Sequence, residues 1–262
     1  MIKMVGLISG KISDFVVLII FWATLIYFIR RSMAGKLPNL RRLPAIDAID
    51  EALGRASEMG KTVLFSHGTG TLESSEAAGS LAAIAALPYI ARKCAQLELQ
   101  LFLPTGSHTA YNVLSEVARE AYQLEGKPEL FNQNNVQYLS SVSRAYSAGV
   151  MSTLMTQNVG AAIMLGSYHH AGLMLVETAN RVGALAVGGT DSTAQIPWFV
   201  AGCDYALIGE EIYALGAYIS KDPISVGGLA GLDILKAVIL AIMALGVVLF
   251  QVGVDLSKWF TV

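Results

Sequence analysis

The sequence predicts an α/β protein, a Rossmann-like, mostly parallel sheet of about six strands with helices on both faces, flanked by two transmembrane helices. Three observations predict it. Long apolar runs sit near both ends of the 262-residue chain, and six short apolar runs lie between them. Each short run ends in Gly, Ser, Thr or His and leads into a stretch of helical periodicity.

Residues 15–29 read FVVLIIFWATLIYFI, and the residues before them bring the run close to the ~20 needed to cross a hydrocarbon core. Residues 234–254 form the second run, broken only by Lys236 and Gln251 near its ends, where both side chains can snorkel to an interface. Trp22 and Tyr27 in the first run, and Trp259 and Phe260 after the second, suit an aromatic belt. Arg30, Arg31, Lys36, Arg41 and Arg42 follow the first run, against Lys3 and Lys11 before it. Basic residues near a span are retained in the cytoplasm. The expectation is therefore a cell-membrane protein with two spans, a cytoplasmic central domain and both termini outside. Arg30 and Arg31 directly behind the run also speak against a cleaved signal peptide.

Pro44 opens a helix in which Ile46, Ile49, Leu53, Ala56 and Met59 share one face. The short apolar runs that follow are 62–66, 97–103, 136–139, 161–165, 184–187 and 205–208. Between them, Ala110, Val113, Leu114, Val117, Ala118 and Ala121 make one helical stripe. A longer helical stretch at 73–97 carries Pro88, which is expected to kink or divide it. The layout reads as an N-terminal anchor at 1–31, a linker helix at 32–60, an α/β domain at 61–231, and a C-terminal transmembrane helix with its tail at 232–262.

A net charge of −2 without a basic stripe gives no footprint for nucleic acid. Cys94 and Cys203, the only two cysteines, have no C-x-x-C spacing and read as small buried hydrophobes. Between Asn132 and Ser220 the charged residues are only Arg144, Glu177, Arg181, Asp191, Asp204, Glu210 and Glu211. An average globular chain is about one quarter charged. So sparse a surface predicts contact with a partner, and a homo-oligomer is the expectation.

In a parallel sheet the strands end on one edge, where ligands bind against loops and helix amino termini. All four histidines of the chain fall in segments predicted to lie at that edge. The candidate ligand-binding residues are His67, Gly68, Thr69, Gly70, Thr71, Thr105, Ser107, His108, Ser167, His169, Asp191 and Glu210. Glycines admit a ligand close to the backbone, and hydroxyls with free N–H groups at helix starts hold anions. A small anionic ligand is the leading expectation. Helix capping by the Ser, Thr and Asp residues is one alternative. A divalent metal held by imidazole and carboxylate is another, though no paired spacing such as H-E-x-x-H supports it.

Familiar catalytic motifs are incomplete. Gly60-Lys61-Thr62 resembles the end of a P-loop, but Gly54 lies one residue too far upstream and the triplet precedes a strand. Gly68-Thr69-Gly70-Thr71-Leu72-Glu73 starts like a dinucleotide fingerprint, yet Glu73 stands where the third glycine belongs. Glu73 and Glu76 read more simply as acids in the first turn of the next helix. No G-x-S-x-G elbow is present.

A Pro-led helix from Pro44, the pairs Gly54-Arg55 and Met59-Gly60, a strand, and then Gly68-Thr69-Gly70 resemble the pattern of an uncharacterised prokaryotic membrane-anchored α/β family, a domain of unknown function. The likeness covers about residues 43–70 and, beyond them, the layout of anchors around an α/β domain. It implies architecture and no activity, cofactor or reaction. The functional expectation is a membrane-tethered homo-oligomeric scaffold or assembly protein with a small-ligand pocket at the strand ends. The alternative is a membrane-associated enzyme using His67, His108 and His169 on an anionic or metal-bound small molecule.

Overall fold

The structure is a computed structural model that describes residues 12–36, 44–70, 72–73, 76–220 and 222–251, without the side chains of 12–14, 170 and 249–250. Lys3, Lys11, Arg41, Arg42, Thr71, Trp259 and Phe260 lie outside the described residues. The chain forms two compact units, one of residues 42–219 and one of residues 1–41 with 220–262. The sequence alone places the bounds of the α/β region at 61 and 231. The helix expected as a linker explains the first difference: α2 (Pro44–Glu58) is amphipathic and buries Ile49, Leu53 and Ala56 in the core of the larger unit. At the other end, α9 (Pro223–Gln251) is already helical from Pro223.

The larger unit holds a six-stranded sheet in the order β3-β2-β1-β4-β5-β6, with β1 (Thr62–Gly68), β2 (Leu101–Thr105), β3 (Val136–Tyr138), β4 (Val159–Ser167), β5 (Leu185–Thr190) and β6 (Tyr205–Ile208). Every neighbouring pair is parallel. Six segments were legible because each is a short apolar run followed by a helix, and a parallel neighbour needs such a crossover. Their ends were less legible. The expected second strand at 97–103 begins only at Leu101, because Leu97 and Glu98 close the preceding helix, with Glu98 at φ +57°. β1, β4 and β5 run on into His67-Gly68, Gly166-Ser167 and Gly188-Gly189-Thr190, polar or glycine-rich segments expected as loops.

Alternation along the central strand sorts the helices into two layers. Val63 and Phe65 face a core shared with α2, α3 (Ala77–Gln96), α4 (His108–Leu124) and α8 (Glu211–Ser220). Leu64 faces a smaller core shared with α5 (Ser143–Thr156), α6 (Gly172–Arg181) and α7 (Ile196–Gly202). α3 runs unbroken through Pro88. The ring removes one helical hydrogen bond, but Leu87 and Ile90 on either side are fully buried and hold the turns in place. The helix starts at Ala77, so Glu73 and Glu76 precede its first turn.

In the smaller unit, α1 (Ile12–Met33) packs against α9 through small residues. A Cβ on Gly227 would sit 2.8 Å from the Ile29 Cα and 2.9 Å from the Phe28 carbonyl oxygen, and one on Gly231 would sit 3.1 Å from Leu25. A Gly-x-x-x-Gly spacing lets two helix backbones approach in this way. Phe15–Met33 and Pro223–Val248 are long and apolar enough to cross a membrane, and most of their side chains are uncovered.

Candidate functional site

The strand order reverses between β1 and β4, the place where open α/β sheets usually part to admit a ligand. Here the chain closes it. Gly68 at φ +91° and Gly166 at φ +116° bring the two strand ends so near that an added Cβ would lie 2.2 Å from a backbone oxygen, that of Ser167 or His67 respectively. The Thr69 amide donates to the Ser167 carbonyl at 2.8 Å, and its hydroxyl to the same oxygen at 3.2 Å. These glycines admit another strand instead of a ligand. Gly70 is similar, since a Cβ there would lie 2.6 Å from the Ser80 Oγ.

Beneath the closed seam, two tyrosines fill the α5–α7 side. Tyr168 donates its hydroxyl to the Ser66 carbonyl at 2.7 Å and also lies 3.0 Å from Ser66 Oγ. Tyr146 donates to the Pro104 carbonyl at 3.3 Å and meets Ser66 Oγ at 2.6 Å. Burial pushes both phenols well above their ordinary range, so they act only as neutral hydroxyls. Gln195, also buried, accepts from the Tyr168 amide at 2.8 Å and donates to Ser167 Oγ at 3.1 Å.

On the opposite side His67 is fully buried at the end of β1. Its Nε2 lies 2.9 Å from Thr105 Oγ1, whose own proton goes to the Ser107 carbonyl at 3.3 Å. Nδ1 is buried with no hydrogen-bond partner among the described residues. Burial pushes the imidazole down to about 4, which leaves it neutral at pH 7. Ser107 caps α4 by accepting from the Ala110 amide at 3.3 Å.

The other candidates hold separate partners. His108 stacks on Tyr138 with ring centroids 3.9 Å apart. His169 Nε2 meets the Glu76 carboxylate at 3.1 Å. Glu73 accepts from the Thr109 hydroxyl at 3.1 Å. Asp191 accepts from the Tyr213 hydroxyl, and its carboxylate lies 2.9 Å from the position of a Cβ on Gly79, in the first turn of α3. The amino end of α3, where an anion was expected, thus already faces one of the chain's own carboxylates. Glu210 stands exposed just before α8, and the His170 side chain is outside the described residues. His67, His108 and His169 share the carboxyl edge of the sheet, as parallel strands require, but their rings do not meet. Among the described residues no three His, Cys, Asp or Glu side chains are grouped to hold a metal ion.

Over residues 4–260 the sequence matches the family described as Domain of unknown function (DUF6754). The chain belongs to this family. No curated protein and no solved structure matches it. Membership agrees with the resemblance carried by residues 43–70 and extends it across both apolar ends.

In this member of the family, Tyr146, Tyr168, Gln195 and Arg144 are site residues that carry no local signal in the sequence. Tyr146 falls at a core position of α5, so its hydroxyl gave no separate signal. Arg144 stood out only as one of few charges in its region. It borders a cleft of about 550 Å³ between the start of α5 and the start of α6, which His169 also lines. Cys94 is buried, and Cys203 is partly buried with its thiol pushed up to about 12 by desolvation, so neither is a thiolate at pH 7.

Proposed function

We propose that the chain is a membrane-tethered scaffold that assembles with copies of itself and holds a small ligand on its α/β unit. The bilayer is its first partner, with the α/β unit in the cytoplasm and both termini outside. The observation that carries self-assembly is the edge of the sheet at β6. An open strand edge invites pairing, and stable monomers blunt it with charge, proline or a covering element. The opposite edge strand, β3, is three residues long and is preceded by Asn132, Gln133, Asn134 and Asn135. β6 instead ends in Ile208, 48% exposed, beside α7 with Val200, 52% exposed. Between Gln195 and Ile208 the only charged residue is Asp204, whose carboxylate accepts from the Ala186 amide at 2.7 Å.

Ligand binding is supported by the cleft of about 550 Å³ that Arg144 and His169 border, on the edge where the parallel strands end. Mass photometry of the full chain in mild detergent tests the assembly. The wild type forms particles of several subunits, and the Val200→Lys, Ile208→Lys double variant falls to one. A wild-type chain that is monomeric at every concentration measured overturns the proposal.

A further inference from the structure

We propose that the cleft between the first turns of α5 and α6 binds a small amphiphilic anion, an apolar body carrying one carboxylate. This deepens the ligand-binding half of the proposed function and is independent of self-assembly. The cleft measures about 550 Å³, inside the range of roughly 300–1,000 Å³ common for small-molecule sites. Its walls are largely apolar, with Ala148 and Met151 from α5 and Ala171 and Met174 from the α6 side. Methionine side chains are flexible and polarizable, and adapt to flat or irregular apolar bodies.

Charge selects the head group. Arg144 lines the cleft and has no ion-pair partner among the described residues. No carboxylate lines the cleft with it, and the Glu76 carboxylate is engaged with His169 at 3.1 Å. The Ser147 hydroxyl, also on the wall, is spent on the Ser143 carbonyl of its own helix at 2.7 Å. The guanidinium is therefore the one cation on the wall without an ion-pair partner among the described residues, with Ser143 beside it, and its planar fork matches a carboxylate in two parallel hydrogen bonds. A fully apolar molecule leaves that fork unused, and a bare anion leaves the methionine walls wet.

The experiment uses the full chain in lipid nanodiscs, with isotope-labelled methionine methyl groups assigned through Met151→Leu and Met174→Leu. Naphthoate, the neutral naphthylmethanol and acetate are titrated in turn. Naphthoate is expected to shift the Met151 and Met174 resonances saturably, with naphthylmethanol at least about tenfold weaker and acetate without effect. Arg144→Gln is expected to lower naphthoate affinity about tenfold, to the level of the alcohol, and Ala148→Trp to abolish binding by filling the cleft. The proposal fails if naphthoate shifts neither methionine, if the alcohol binds equally well, or if Arg144→Gln leaves affinity unchanged. These resonances report the cleft and not particle mass, so failure here leaves the assembly test untouched.

Discussion

The two helical layers on this sheet are built for different surroundings. On the α2, α3, α4 and α8 side, charged residues pair along the surface: Arg92 with Glu125 at 2.6 Å, Lys127 with Glu98 at 2.8 Å, Lys93 with Asp50 at 3.4 Å and Arg119 with Glu116 at 2.5 Å. Among the described residues, α5, α6 and α7 carry one ion pair between their own side chains, Arg181 with Glu177 at 2.6 Å, among exposed Val142, Met155, Leu173, Met174 and Val200. Both layers obey the same parallel topology and bury similar alternate residues of the same strands. Topology therefore does not set the outer chemistry. Water suits the first layer, and contact with protein or ligand suits the second.

The largest effect should come from the seam where the layers share the sheet. Gly68→Ala forces a Cβ against the Ser167 backbone at positive φ, costing more than about 3 kcal/mol and preventing recovery of folded protein. Gly60→Ala, at φ +62° with open space around it, costs about 1 kcal/mol. Equal losses in thermal unfolding would show that positive φ alone, and not the strand approach, governs the seam.

His67 gives a pH test confined to the charged layer's core. Its folded value of about 4 lies below the ordinary imidazole value of 6.5, so the unfolded chain takes up a proton that the folded chain refuses. The stability this group contributes is complete above pH 6.5 and is lost as pH falls toward 4, by about 3 kcal/mol in all. Denaturant titrations of wild type and His67→Gln should show that component only in the wild type. Parallel curves would place the histidine in contact with water.

Smaller effects separate the surfaces. Tyr168→Phe removes the donor to the buried Ser66 carbonyl and should cost about 1–3 kcal/mol in chemical unfolding. Arg92→Gln breaks an exposed ion pair and should cost less than about 1 kcal/mol. Met155→Lys on the sparse layer should change unfolding stability by no more than about 0.5 kcal/mol, since the side chain is already exposed.

The strands and spans were legible because hydrophobic period and run length survive in sequence without tertiary knowledge. The candidate site was legible only in outline. His67, Thr105, Ser167 and Thr190 read as loop residues because they are polar, yet all are buried, as is Ser66 at the end of its expected run. Their hydrogen-bond partners lie up to 102 residues away, as for Ser66 with Tyr168, and no local pattern encodes such pairing. The cleft beside Arg144 has the same origin. It exists only because α5 and α6 pack side by side over β4, and neither helix alone outlines it.

Hydrogen exchange of the full chain in native membranes tests the central claim that the β6 edge and α7 are covered by another copy. Amides of α7 and β6 should be protected in the wild type and exchange faster in the Val200→Lys, Ile208→Lys variant, while those of β3 stay unchanged. Unprotected β6 amides in the wild type, exchanging as fast as in the variant, would contradict the account.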